Sequence, residues 1–596
     1  MKKNSLFAIL MATVLLTLSS CTGSHTLFSN GKSDYSIVIS PSAPESEQLA
    51  ARELQEWIQK VSGAELPIVG LDGGQEGRRI ILGYNELLTS LLPGTEEQKA
   101  TDESFTYCNV GGDLLAWGGA NRGTLYAVYS LLERELGCRW YTRKVSLAPE
   151  MKEWSFKTLF HQEAPALRMR DNNYIGVSEP HFAARMRNNT IPLPSLTEGK
   201  TIFGTSERYW NCHTMGQFIP ADTFYDEHPE YFSMIDGKRI KEYTQLCLSN
   251  PEVLRICTEK MREAMRNHPD FLVYSLSQND WFNPCQCPEC QKIVDQYGGQ
   301  QSGIMLWFVN QVADAVREEF PDKYVGTFAY QYTRTPPTGI QPKDNVVIRL
   351  CSIECCVIHE YNDCEENKQF MKDLETWSSI APHLYIWDYV ASFTQYCLPL
   401  PNFRTLQGHL RDFRDHNALG VMEEGDYQNM GAEMEHLRAY VLARLMWNPE
   451  CNVDSLIQDF TDGYYGAAGP LIREYLDYEH NTLIREGIHQ NCFPRAESEI
   501  YTEEFIREAR GIFSRAKEAV KENPELLARV ELDELPLCFL QLNRCHKEAM
   551  EQGAMDLFKR VVEREGITRL AEWGGYIWVE DFLKAMEELD KKDNGQ

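Results

Sequence analysis

From about residue 160 to 448 the chain alternates short apolar runs with amphipathic segments, and that alternation leaves few folds open to it. The runs 166–171, 271–277, 324–330, 346–350, 384–387 and 419–422 are brief and rich in β-branched and aromatic residues, and they read as strands. Segments between them, such as 303–320, carry apolar residues at helical spacing. Strands alternating with helices over this length predict an α/β chain with a parallel sheet, of a size that suits a (β/α)8 barrel of the TIM type. Two more strands are expected near 183–188 and 210–215.

The flanks read differently. Residues 34–150 predict a small α/β domain, with strands at 35–39 and 79–82 and a helix over 46–61 whose Leu49, Leu54, Ile58 and Val61 share one side. An apolar run at 114–117 leads into Gly118-Gly119-Ala120-Asn121-Arg122-Gly123. That turn lacks the lysine and the spacing of a phosphate loop, so it reads as a tight strand-to-helix turn. From 450 to 596 the pattern is helical, with segments at 453–464, 470–486, 502–522, 525–550 and 555–565.

The N-terminus begins Met1-Lys2-Lys3 and continues into an apolar run over 6–18, too short to span a bilayer, so residues 1–20 read as a signal peptide. The run ends in Leu18-Ser19-Ser20-Cys21, which resembles a bacterial lipobox and implies lipidation of Cys21. The expected location is the bacterial cell envelope, with membrane contact only through that lipid anchor. A formal net charge of −28, with no basic stripe to offset it, excludes nucleic acid as a partner. Eighteen cysteines in 596 residues do not make a disulfide scaffold. Cys285, Cys287 and Cys290 form one cluster; a structural zinc site wants four ligands and no fourth is evident, so they read as loop-bracing thiols or a disulfide, and no metal or cofactor is assigned.

In a barrel of this type the reactive groups stand at the C-terminal strand ends. Those ends supply Asp171, His213, Asn279, Asp280, Trp281, Tyr330, Tyr332, Glu354, Trp387, Asp388, Tyr389, Glu423, Glu424 and Asp426. Aromatic faces stack on sugar rings, amides and carboxylates bind hydroxyls, and two carboxyl groups cleave glycosidic bonds. Each has a plainer alternative: Asp280 as a helix cap, Glu354 as a paired core acid, Glu423 and Glu424 as a solvated face.

Several stretches resemble known families. The helix at 48–61 with Ser62-Gly63-Ala64-Glu65-Leu66-Pro67, and Arg122-Gly123-Thr124-Leu125-Tyr126-Ala127, resemble the N-terminal domain of α-glucuronidases and β-hexosaminidases. His228-Pro229-Glu230-Tyr231-Phe232, Ser277-Gln278-Asn279-Asp280-Trp281, Tyr385-Ile386-Trp387-Asp388-Tyr389 and Val421-Met422-Glu423-Glu424-Gly425 resemble the large domain of unknown function numbered 4838. Part of that group is glycoside hydrolase family 163, endo-β-N-acetylglucosaminidases acting on complex N-glycans. The resemblance covers roughly residues 35 to 480 and implies a hydrolase of host glycans.

On this reading Asp280 is the general acid/base, its proton held by burial against Trp281, and Glu423 or Glu354 is its partner. Two carboxyl groups about 5–5.5 Å apart would mean a retaining nucleophile, and about 6.5–9.5 Å an inverting base. With an N-acetylglucosaminide the substrate's acetamide can attack instead, with Asn279 to orient it. Trp281, His213, Tyr330, Tyr332, Trp387, Asp388 and Glu424 are expected to bind substrate. Two other functions stay open: an exo-acting, α-glucuronidase-like enzyme using Arg168, Arg170 or Arg349 for a uronate, and a lipid-anchored glycan-binding protein without chemistry.

Overall fold

The computed structural model describes residues 23–95, 102–119, 122–190, 209–485 and 487–593. The 6–18 run and Cys21 lie outside them. Among the described residues no helix is long and apolar enough to cross a membrane. The chain forms two compact units: the described residues to Arg168 with Glu179–Asn189, and Met169–Ser178, Thr190 and everything described from Tyr209 onward.

The first unit holds a six-stranded mixed sheet in the order Phe160–Glu163, Phe105–Val110, Asp113–Gly118, Arg79–Leu82, Ser36–Val38, Ile68–Val69. The helix Glu45–Ser62 buries Leu49, Leu54, Trp57, Ile58 and Val61 and stops at Gly63, whose φ of 77° ends it in the left-handed region. A Cβ on Gly118 would lie 2.2 Å from the Gly123 backbone, so the glycine-rich turn serves close approach of strand and helix.

The second unit is built on seven parallel strands: β1 (Met169–Asn173), β2 (Tyr209–Trp210), β3 (Val273–Ser275), β4 (Tyr324–Ala329), β5 (Val346–Cys351), β6 (Leu384–Tyr389) and β7 (Ala418–Glu424). They pair in the order β1-β7-β6-β5-β4-β3-β2. One apolar cluster draws Met169 from β1, Val273 from β3, Val347 from β5 and Tyr385 from β6, with Tyr209 of β2 packed against it. Both edge strands therefore serve one core, and the sheet curls as a TIM-like half-barrel. The expected eight-strand closure is not seen: among the described residues there are seven strands, and β1 and β2 do not pair. The strand expected at 183–188 is instead the end of a helix, Pro180–Arg185, and the turn after it. Proline sits in its first turn, and the Glu179 carboxylate accepts the His181 and Phe182 amides, which fixes a helix start.

Pairing of β6 with β7 contains a bulge: Leu384 faces Ala418, but Tyr385 faces Gly420, leaving Leu419 extra. The odd residue reverses which β7 side chains share a face with the odd-numbered residues of β6. Trp387 and Tyr389 thus lie beside Met422 and Glu424, and Asp388 beside Glu423.

After β7 come helices Glu435–Trp447, Val453–Tyr465, Gly469–Leu483, Glu503–Val520, Pro524–Arg544, His546–Glu551, Ala554–Glu565 and Val579–Asp593, grouped in the same unit as the sheet.

Gly420 permits the β1–β7 approach next to the bulge: a Cβ there would meet Met169 Cβ at 2.4 Å and its carbonyl oxygen at 2.9 Å. Gly420→Ala is expected to destabilise the second unit by about 1–3 kcal/mol, the usual cost of overpacking, read as a lowered melting temperature in differential scanning calorimetry.

Candidate functional site

Alternation along the strands decides what faces the interior. At the C-terminal ends, Asn173, Phe328, Cys351, Trp387, Met422 and Glu424 open onto a cavity of about 580 Å³. His213, Asp280, Tyr330 and Glu354 join them from the loops after β2, β3, β4 and β5. A second cavity of about 420 Å³, lined by Trp281, Tyr243 and Lys241, shares Asp280 and His213 with the first.

Four acids line this cavity: Glu424, Glu572, Asp280 and Glu354. Glu424 is 6% exposed, and its Oε2 accepts the Trp387 indole N–H at 2.7 Å. Burial, and after it the charge of Glu572, pushes its carboxyl up to about 8; the Trp387 bond and Arg349 oppose this, and Asp280 adds to it. Glu572 accepts the Tyr427 hydroxyl at 2.9 Å and is raised by burial. Asp280 is the open one: its side chain is 59% exposed, and Oδ1 accepts the Tyr330 hydroxyl at 2.8 Å. His213 Nε2 lies 3.9 Å from the same oxygen. His213 Nδ1 faces the Gln278 carbonyl at 2.7 Å, which only accepts, so Nδ1 carries a proton.

Several expected residues stand elsewhere. Glu423 is 1% exposed, does not line the cavity, and both its carboxylate oxygens are buried without a hydrogen-bond partner among the described residues. Burial and neighbouring Asp388 raise its carboxyl far above the usual range. Asp388 shares that face, accepting the Ser352 and Tyr361 hydroxyls. The Asn279 amide is fully used by backbone, accepting from Gly216 N–H at 2.7 Å and donating to the Thr244 carbonyl at 2.8 Å. Trp281 also donates to Thr244 and does not cover Asp280, so burial against this indole does not occur. Tyr332 lines a small cleft beside Cys285 and Cys290. Glu354 is at the cavity but paired with Arg334 at 2.8 Å.

Among the described residues no lysine or arginine lines the main cavity. Arg349 is buried beneath it, its guanidinium 4.5 Å from the Trp387 ring and 4.7 Å from the Tyr209 ring. Arg170 is buried against Trp447.

Glu572 and Trp573 are contributions the sequence pattern did not reveal. They come from the loop before Val579–Asp593. The Glu572 N–H bonds to the Phe393 carbonyl at 2.9 Å, and Arg569 holds the Ala571 and Glu572 carbonyls at 2.7 and 2.5 Å. The local signal was an acid and an indole followed by Gly574-Gly575, with φ of 74° and 46°. The three expected cysteines meet a fourth, Cys247, and none is in a disulfide.

The profile of a domain of unknown function, DUF4838, matches residues 140–477. No curated protein matches the chain significantly. Among solved structures, a family GH115 4-O-methyl-α-glucuronidase with specificity for decorated arabinogalactans aligns over 91% of this chain and 77% of its own, at 13% identity and a TM-score of 0.57. Flavobacterium johnsoniae chitobiase covers 95% and 97%, at 11% identity and TM-score 0.46. A β-N-acetylhexosaminidase from Bacteroides fragilis covers 77% and 93%, at 12% and 0.41. The first likeness is one of fold.

Glu424 gives a pH dependence of stability. Its folded carboxyl binds its proton more tightly than an unfolded one, so its contribution is complete below about 4.5 and is lost as pH rises toward about 8. Glu424→Gln, which keeps the shape without titrating, is expected to flatten the fall in melting temperature across that window, by several degrees at its alkaline end. An unchanged slope would rule out Glu424 as its source.

Proposed function

The chain belongs to the DUF4838 family, and we propose that it is a glycoside hydrolase acting on neutral sugars, with Glu424 as general acid and Asp280 as its anionic partner. The observation that carries this is the contrast between two carboxyl groups at one cavity. One is buried and holds its proton up to about 8; the other is open to water and accepts a tyrosine hydroxyl. Environments that separate two acids in this way assign acid and base.

In the reaction Glu424 delivers its proton to the glycosidic oxygen as the bond to the anomeric carbon breaks. Asp280 stabilises the oxocarbenium-like centre and either attacks it, activates water, or holds an acetamide N–H while the acetamide oxygen attacks. Trp387, Trp573 and Phe282 offer ring faces, and Glu572 and Asn173 offer hydroxyl partners. In this assignment Glu424 takes the proton-donor role expected of Asp280, Asp280 becomes the partner, and Glu423 drops out because it does not reach the cavity.

The finer reading is an endo-β-N-acetylglucosaminidase acting on complex N-glycans. It is supported by the motif resemblance and by the two cavities meeting at Asp280 and His213, which leave room for sugar on both sides of the cleaved bond. Among the described residues a uronate would meet acids and no cation in the main cavity, which disfavours the glucuronidase-like alternative. Lipidation of Cys21 would hold the enzyme at the cell envelope.

The test is the chain from residue 22 onward, incubated with a complex N-glycoprotein, with released glycans read by mass spectrometry. Oligosaccharide release is expected. Glu424→Gln should lower kcat by about 10²–10⁴-fold, and less on an aryl glycoside whose leaving group needs no proton. kcat/KM should fall as pH rises past about 8, and Trp387→Phe, which removes a bond favouring the charged form, should move that limb upward. Single sugars as product would replace endo- with exo-action. Glycan retention without cleavage would make this a binding protein.

A further inference from the structure

We propose that Cys247, Cys285, Cys287 and Cys290 hold a structural zinc ion that fixes the loop carrying Asp280. All four thiols are buried and lie within 4.8 Å of one another. Cys247 Sγ is 3.6 Å from Cys287 Sγ and 3.7 Å from Cys290 Sγ. Zinc about 2.3 Å from four tetrahedral thiolates sets the sulfurs about 3.8 Å apart. A disulfide would bring one pair to about 2.05 Å, but Cys247 stands almost equally far from two partners and is bonded to neither.

The surroundings fit a negatively charged metal–thiolate centre. The Met234 N–H points to Cys285 Sγ at 3.3 Å, and the Arg239 guanidinium lies 3.5 Å from the same sulfur. The Ser249 hydroxyl is 3.1 Å from Cys290 Sγ. Such donors stabilise thiolate ligands from the outer shell. Four sulfurs in tetrahedral array take zinc or iron; zinc is the ion expected to stay bound without redox chemistry.

The site stitches together two loops otherwise joined by side-chain bonds. Cys285, Cys287 and Cys290 follow Asp280-Trp281 in the chain. Cys247 follows Gln245, whose amide donates to the Asn279 and Trp281 carbonyls and accepts the Asn279 N–H.

A second group supports a second zinc ion independently. Cys356, His359, Cys364 and His489 also present their ligand atoms within 4.8 Å of one another. Cys356 Sγ lies 3.2 Å from His359 Nδ1, and Cys364 Sγ 3.3 Å from His489 Nδ1. A Cys2His2 zinc centre places sulfur and nitrogen about 3.6 Å apart. It would clip the loop after β5, which carries Glu354, to the segment that brings Asn491 and Phe493 to the cavity.

The experiment is elemental analysis of the full chain after export-free expression with zinc, its affinity tag removed. Two zinc ions per chain are expected, with one lost in Cys247→Ser/Cys290→Ser and one in Cys356→Ser/Cys364→Ser. Because either double variant can misfold, the wild-type chain is also loaded with cobalt(II) alone. Thiolate charge-transfer and tetrahedral d–d bands are expected, and slow release to a chelator should lower the melting temperature by several degrees. One zinc ion, lost only in the first variant, would overturn the second site; loss only in the second would overturn the first. A zinc-free chain whose unreduced cysteines resist alkylation would overturn both. None of these readings depends on glycan cleavage.

Discussion

Leu419 has no partner across β6, and one unpaired residue changes which acids meet in the interior. A strand's side chains alternate between faces, so a single inserted residue exchanges the two faces for the rest of that strand. Without the bulge, the pairing of Leu384 with Ala418 would carry on to set Trp387 beside Val421 and Tyr389 beside Glu423. With it, Glu424 stands beside Tyr389, within reach of the Trp387 indole, and Glu423 is sent to the outer face with Asp388. Gly420 is part of the same device, since β1 approaches the bulged strand where a side chain would collide with Met169. The bulge therefore joins backbone register to proton chemistry: it selects the carboxyl group that opens onto the cavity.

What that carboxyl group can do depends on the company it keeps. Glu424 faces Glu572 and Asp280, and the Trp387 indole N–H and Arg349, buried below between aromatic rings, offset them in part. Acids that face one another cannot all be charged without cost, and burial adds to that cost for Glu424. Glu572 matters here although no barrel strand supplies it. It reaches the cavity on a loop tied to the backbone of Phe393 and gathered by Arg569, so the helical C-terminal region sets the electrostatics of the sheet's C-terminal end.

The parallel sheet was legible in the sequence because a strand buried on both sides is a local pattern. All seven strands overlap their expected positions, the shortest, β2, only at Trp210. The rim was legible too, since Asp280, His213, Tyr330, Glu354, Trp387 and Glu424 all reach one cavity. What the pattern does not carry is register. The choice between Glu423 and Glu424 turns on pairing between strands more than thirty residues apart in sequence. The residue alternation within β6 does separate Trp387 and Tyr389 from Asp388, but linking that phase to β7 needs the bulge. Cys247 was unrecognisable for a similar reason: thirty-eight positions separate it from Cys285, with nothing in its neighbourhood to mark it. Glu572 lay in a region whose helical periodicity drew attention away from its loops.

The exposed member of the acid pair presents a separate problem. A carboxylate on a strand inherits its position from the sheet, but Asp280 sits beyond the end of β3 on irregular chain, largely open to solvent. Its placement comes from its neighbours. The Asn279 side chain is anchored to Gly216 and Thr244, its backbone is clasped by the Gln245 amide, and Gln278 is bonded to the Tyr330 carbonyl and the Thr333 hydroxyl. The Asn279 amide, expected to meet substrate, joins those of Gln245 and Gln278 in holding the main chain on either side of the acid, because a buried amide without partners would be costly. That leaves a contrast in which the strand supplies a buried acid whose proton is set by burial, and a braced loop supplies a carboxyl group whose position is set by hydrogen bonds. Each arrangement suits the proposed task, in which the buried acid gives up a proton and the carboxyl group on the loop faces a developing positive charge.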